Sequence, residues 1–213
     1  MRYELHHTVA GRAGSTDEDP LVRDARLSLQ FQQACTELRM KPVPVILQHA
    51  GTVPREECHL TTSREIDAVS DHEAVLVARS LRRVLALWKG GVFSVVRCKV
   101  EAEAALRPDA EHVEWWLPEQ YLETHVRVLA LPSVRPRLSE IAVAAGARVS
   151  RLESKPGRRW VTLRQRRPLS EHRVHVDELL HALRAERYEI DRLQTEFCVA
   201  DDRAELDRAW LAS

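Results

Sequence analysis

Glu4-Leu5-His6 and Glu123-Thr124-His125 each place a carboxylate two residues before a histidine, in runs that alternate like β-strands. Alternation puts Glu4, His6 and Thr8 on one face of the first run, and Glu123, His125 and Arg127 on one face of the second. A third run puts Trp160, Thr162 and Arg164 on a common face with Arg166 beyond them, and its counterparts in the first half read as Glu57, His59 and Thr61. Histidines near neutrality exchange protons, carboxylates orient them, and arginines hold an anion with forked hydrogen bonds. The expected catalytic set is therefore His6, His59 and His125 as proton carriers, with Glu4 and Glu123 as their orienters. The expected ligand-binding set is Thr8, Thr61, Arg127, Trp160 and Arg164. The same alternation also suits a solvated or partner-facing sheet laced by cross-strand pairs.

These residues share a surface only if the elements around them are arranged to bring them together. After each Glu-x-His opening comes a helical stripe, Leu27, Phe31, Ala34, Cys35 and Leu38 in the first half and Leu138, Ile141, Ala142 and Ala145 in the second, the latter stopped by Gly146. Two strands follow in each half, 43–49 and 58–63, then 148–153 and 160–166, with turns at Ala50-Gly51 and Pro156-Gly157. A second helix comes next, opened in the first half by the capping box Ser70-Asp71-His72-Glu73 and closed by Gly90-Gly91, and marked in the second by Val176, Leu179, Leu180 and Leu183. The final strands, 93–100 and 193–199, place Cys98 opposite Cys198 in the alignment of the halves, and Ala110-Glu111 to Trp116-Leu117 matches Ala204-Glu205 to Trp210-Leu211.

The expected fold is thus α+β, a tandem duplication of a ferredoxin-like βαββαβ unit. Each unit is an antiparallel sheet with its helices on one face, and a cleft or barrel lies between the copies. The first copy spans 1–105 and a Trp-containing linker 106–119; the second copy spans 120–200 and a Trp-containing tail 201–213. The offset between halves changes from 119 at His6 and His125 to 100 at the cysteines, which places insertions early in the first copy, including the polar stretch Gly11 to Asp19. In a split βαβ sheet the first and third strands are central neighbours, which would gather the candidate residues on the open face.

Lysine plus arginine equals aspartate plus glutamate at 32 each, so no general attraction to nucleic acid or acidic membranes is expected. The segment from Arg135 to Arg167, with ten basic residues against Glu140 and Glu153, is the one basic stretch, and acidic residues after it can neutralise it. No apolar run approaches the ~18 residues of a membrane span, the N-terminus lacks a signal-peptide core, and the protein is expected to be cytoplasmic. The four cysteines form no Cys-x-x-Cys pair and read as reduced, buried thiols. No Gly-rich phosphate loop, zinc-protease helix or serine-hydrolase elbow occurs. No cofactor is specified and no metal set is expected: His172, His175 and His181 read as surface residues.

His6-x-Thr8 and His59-x-Thr61 resemble the His-x-Thr motifs of the 2H phosphoesterases, two-lobed proteins whose paired histidines act as acid and base on a phosphodiester while the threonines bind phosphate. In that family each lobe supplies one motif; here both lie in the first half, and the second offers His125-Val126-Arg127 and Thr162-Leu163-Arg164. Glu123-x-His125-x-Arg127 is similar to the Glu-x-Glu-x-Lys strand of the CYTH triphosphatases, whose tunnels are lined with arginine and carboxylate, with His125 standing where that family has a metal-binding glutamate.

The leading expectation is a protein that binds a small anionic, phosphorylated ligand between the copies, with acid/base phosphoester hydrolysis as its chemistry. The alternative is a non-enzymatic interaction or scaffold protein that uses its open sheet faces, for which a homo-oligomer is one outcome. Nucleic-acid binding through Trp160 and the basic hairpin is disfavoured by the zero net charge.

Overall fold

Apolar residues on one face of every strand and along one stripe of every helix leave this chain a single economical packing: helices outside, strand faces turned inward. The computed structural model describes residues 1–11, 20–49, 55–130, 135–152 and 157–204. In chain order the elements are β1 (Arg2–Gly11), α1 (Pro20–Glu37), β2 (Lys41–His49), β3 (Arg55–Asp67), α2 (Asp71–Leu87), β4 (Phe93–Glu103), β5 (Tyr121–Leu129), α3 (Arg135–Ala144), β6 (Ala147–Leu152), β7 (Arg158–Gln165), α4 (Leu169–Ala185) and β8 (Glu189–Asp201). This is an α+β protein in which strand, helix, strand, strand, helix, strand occurs twice.

Local signals set several of the boundaries. Ser70 caps α2, its side chain accepting from the Glu73 amide at 3.3 Å while Glu73 accepts from the Val69 amide at 2.8 Å. Positive φ ends α3 at Gly146, whose amide donates to the Val143 carbonyl. The strands run longer than the pattern predicts, β3 reaching Asp67 and β4 reaching Glu103, because their extensions pair with β1.

All eight strands are antiparallel to their neighbours and form one curled sheet closed into a barrel in the order β1-β3-β2-β6-β7-β5-β8-β4. Each half contributes four adjacent strands with its first and third as neighbours, and the halves join at β2–β6 and β4–β8. The faces read from the sequence as open are therefore turned toward each other around a lumen. The outward faces pack under the helices: Leu5, Val100, Leu122 and Phe197 under α2 and the linker, Val126, Val161 and Leu163 under α3 and α4, Val9 and Phe93 under α1.

Two correspondences between the halves need correction. β1–β4 pairing sets Glu4, His6 and Thr8 opposite Glu101, Lys99 and Arg97, and β5–β8 pairing sets Glu123, His125 and Arg127 opposite Glu196, Gln194 and Arg192. Lys99 thus corresponds to Gln194, an offset of 95, and Cys98 corresponds to Leu193 rather than Cys198. Cys98 packs in the outer core, whereas Cys198 is buried near Lys99, Glu101 and Tyr121. Likewise β1–β3 and β5–β7 pairing makes Thr61, Ser63 and Glu65 the counterparts of Trp160, Thr162 and Arg164. The period of two preserves the face but not the register, so the hairpin match, which moves by four residues, leaves no trace in the hydrophobic pattern, whereas the cysteine match moves by five and follows the residue type instead.

The linker after β4 is a run of short 3-10 turns from Ala104 to Trp115. Trp116 pins it, donating from Nε1 to the Asp109 carbonyl at 2.8 Å and meeting the Phe197 ring edge-on at 5.1 Å, with the Arg107 guanidinium 5.0 Å from that ring. Trp115 is 66% exposed and anchors nothing in the core. The stretch 12–19, the turn residues Ala50, Gly51 and Pro156, and the tail 205–213 with Trp210 lie outside the described residues.

Phe197→Ala should lower unfolding free energy by about 3–5 kcal/mol in urea titration, because it empties a buried site between barrel and linker. Trp115→Ala should change it by less than about 0.5 kcal/mol.

Candidate functional site

Because the inner faces of most strands are polar at their centres, with Val43 and Val45 of β2 as the apolar part of the lining, closing the barrel creates a charged chamber rather than an apolar core. The lumen is a cavity of about 640 Å³ lined by side chains from all eight strands and the turn before β2. Glu4, His6, Thr8, His59, Thr61, Glu123, His125, Arg127, Trp160 and Arg164 all line it. Arg166 does not: its guanidinium donates to the carbonyls of Trp116, Leu117 and Gln120 outside the barrel.

At the centre, Lys99 Nζ lies 2.6 Å from Glu101 Oε1 and 3.0 Å from Glu123 Oε2. Arg164 binds the same Glu123 oxygen through Nη2 at 2.8 Å and Nε at 3.1 Å. Burial alone would push the Lys99 ammonium toward neutrality, but Glu101 and Glu123 hold it well above the usual lysine range. Burial likewise raises both carboxylates, and it is outweighed: Lys99 and His6 bring Glu101 down to about 2, and Arg164 and Lys99 hold Glu123 well below its ordinary value. The network joins the halves, since Lys99 and Glu101 come from β4 while Glu123 and Arg164 come from β5 and β7.

The two equivalent histidines are pushed in opposite directions. His6 Nε2 sits 2.9 Å from Glu101 Oε2, and its Nδ1 lies 3.2 Å from the Thr62 carbonyl. Acceptors at both nitrogens suit the imidazolium, so the His6 pKa rises although burial opposes it. His125 has Thr162 Oγ1 at 3.0 Å from Nδ1, while Nε2 stands 3.4 Å from Glu123 and 3.5 Å from Glu196. Burial lowers its pKa, and the attraction of Glu123, itself neutralised by Lys99 and Arg164, does not restore it. Glu196 is pushed well above the carboxylate range by burial and by the charges of Glu101 and Glu4, which favours its neutral form beside His125.

The flanks of this centre differ. On the first-half side Thr8 and Thr61 bond through their hydroxyls at 3.2 Å, and Arg97 is held by Asp201. On the second-half side Trp160 lies beneath the guanidinium carbons of Arg127 and Arg192 at 5.5 and 5.9 Å, with Arg127 bound to Asp191 at 2.6 Å. Glu101, Glu123 and His125 bring one ligand atom each within 4.8 Å of one another, a spacing that suits a metal ion, but the Lys99 ammonium already sits against both carboxylates.

Outside the lumen, His172 departs from the sequence reading: it is fully buried, not on the surface. Its Nε2 meets Thr124 Oγ1 at 2.7 Å and its Nδ1 meets Gln165 Oε1 at 3.0 Å, and burial lowers its pKa to about 4. It ties α4 to the outer faces of β5 and β7. His7, beside His6 in sequence, is equally buried on the outer face of β1 with Nε2 2.8 Å from the Ala78 carbonyl.

Lys99, Glu101, Glu196, Arg97, Arg192 and Gln194 line the lumen without having been expected there. The signal for them is in the chain: Arg97-x-Lys99-x-Glu101 and Arg192-x-Gln194-x-Glu196 are the same alternating motif on corresponding strands. The two cysteines lie five residues out of step with this repeat, which obscures it.

No protein-family model matches the chain, and neither does any curated protein. Among solved structures, a mutant chlorite dismutase from Candidatus Nitrospira defluvii aligns at 10% identity over 92% of this chain and 91% of that one, with a TM-score of 0.28. A haem-binding protein from Thermus thermophilus aligns at 11% identity over 100% of this chain and 95% of that one, with a TM-score of 0.29. Similarity at this level carries no argument about ligand or chemistry.

Glu123→Ala removes the buried carboxylate that Arg164 binds and that Lys99 shares with Glu101, and should cost about 3–5 kcal/mol of stability, read by chemical denaturation. Glu196 is different, because its folded pKa lies above its unfolded value. Folding therefore takes up a proton, and stability falls as pH rises from the unfolded carboxylate range through the folded pKa, by up to about 1.4 kcal/mol per pH unit. Glu196→Gln mimics the protonated acid and should flatten that decline between pH 5 and 8; an unchanged slope would mean Glu196 is ionised in the folded protein.

Proposed function

We propose that the barrel lumen binds a small, multiply charged anion, phosphorylated in kind, and that His6 and His125 give it acid–base capacity toward a phosphoester. The observation that carries this is the lining: eight arginines and lysines against five glutamates around a lumen of about 640 Å³, with burial and the charges of Glu101 and Glu4 pushing Glu196 toward its neutral form. In that confined setting an anion is favoured more than it would be on a solvated face. Hydrolysis would use His125 to take a proton from water as its oxygen bonds to phosphorus, and His6 to protonate the departing oxygen. Thr8, Thr61, Arg127, Trp160 and Arg164 serve as ligand-binding residues, and His59 lines the same chamber. Glu4 and Glu123 orient the histidines, with Glu101 as a further partner of His6.

The repeated element order, the Glu-x-His openings and the shared Arg-x-Lys/Gln-x-Glu strand support a tandem duplication of a ferredoxin-like unit. The copies would be bounded at 1–105 and 120–200, joined by the linker 106–119 and followed by a tail from 201. The scaffold alternative loses its open sheet faces, which line the lumen. What favours it still is the exposed apolar linker surface of Leu106, Trp115 and Leu117. No helix among the described residues is long and apolar enough to cross a membrane.

Inorganic tripolyphosphate should raise the melting temperature, with an effect that weakens as salt is added. The double variant Lys41→Ala, Arg192→Ala removes two exposed lumen cations and should weaken binding about tenfold or more, measured by titration calorimetry. Absence of any shift with phosphate, pyrophosphate or tripolyphosphate would refute the anion reading.

A further inference from the structure

The two halves of the lumen lining share several residue types and differ at others, and one of the differences has a chemical direction. Like residues stand at Glu4 and Glu123, His6 and His125, Ser63 and Thr162, and Glu101 and Glu196, whereas Lys99 is matched by Gln194 and Glu65 by Arg164. At the next inward position along β1 and β5, Thr8 is matched by Arg127, and at its neighbour Thr61 is matched by Trp160. A ligand with two equal ends would be served by equal flanks. This chamber has two small hydroxyls and Arg97 on one side, and an indole with two guanidinium groups beside it on the other.

Trp160 is half-buried in the lumen wall. The His125 ring meets it edge-on at 5.9 Å and 82°, which places the indole directly against the proposed acid–base centre. Arg127 is held over it by Asp191, and Arg192 by Gln194, through a hydrogen bond of 2.5 Å. An indole needs no such company to fill space. Flat guanidinium and indole surfaces facing a polar cavity are what a planar aromatic group stacks upon, at a strength that tolerates different rings. Along β7, Trp160 and Arg164 are four residues apart, about 13 Å, so a planar group at Trp160 can trail an anionic chain toward the central cations.

Resting on the anion reading above, we infer that the ligand of this lumen is asymmetric: an anion that also carries a planar aromatic group, of the nucleotide class, with the aromatic group seated at Trp160 between Arg127 and Arg192. Inorganic tripolyphosphate and adenosine 5′-triphosphate separate the two claims, since they share the anionic chain and differ by the nucleoside. Tripolyphosphate carries the greater charge, so electrostatics alone would favour it. In titration calorimetry on the full chain, adenosine triphosphate should bind about tenfold tighter. The ratio of the two constants should fall toward unity in Trp160→Ala and return in Trp160→Phe. Equal affinities in the unaltered protein would overturn the aromatic seat while leaving the anion reading intact. A preference that persists in Trp160→Ala would overturn the assignment to Trp160. Failure of both compounds to bind would overturn both readings at once.

Discussion

Closure of the sheet is the constraint on which the rest of this protein depends. A four-stranded βαββαβ unit leaves one sheet face uncovered, and here each half uses the other to cover it. Once those faces meet, the inward side chains at the centre leave bulk water, and the inward positions of β1, β4, β5 and β8 are nearly all ionisable. Charges in such a place must compensate one another or change protonation state. Lys99, Glu101, Glu123 and Arg164 do the first, and Glu196 and His125 do the second.

That compensation makes a stability problem and a chemical opportunity from the same atoms. Four close-packed apolar residues would fill the centre at less electrostatic cost, as buried ion pairs seldom repay their desolvation. The arrangement instead leaves a chamber in which one histidine is pushed toward its cationic form and its counterpart toward the neutral one. The difference between them arises from their neighbours: His6 faces an ionised Glu101, whereas His125 faces a Glu123 already claimed by two cations. One motif repeated in the chain therefore supplies two protonation states.

The outer shell works by ordinary means. Apolar strand faces pack beneath the four described helices, and the linker is docked by Trp116 against Phe197. Its buried polar residues, His7 and His172, are satisfied by the Ala78 carbonyl and by Thr124 with Gln165, and so tie helices to strands without entering the lumen. Neighbouring histidines in the sequence thus serve opposite sides of one wall, His6 inside and His7 outside.

Alternation and helical periodicity made the element order legible in the sequence, together with the face on which Glu4, His6, Glu123, His125 and Arg164 lie, because side-chain direction follows from local backbone geometry. Register was not legible there: the two cysteines suggest matching Cys98 to Cys198, and hydrogen-bond pairing across the sheet instead matches Lys99 to Gln194. Nor did the chain reveal that Lys99 and Glu101 would meet Glu123 from the other half, since that contact spans the β4–β8 seam and exists only when the barrel closes. The protonation of Glu196 and the division between the two histidines are likewise tertiary properties. They depend on burial and on the distances between charges brought from distant parts of the chain, and residue type and spacing contain neither.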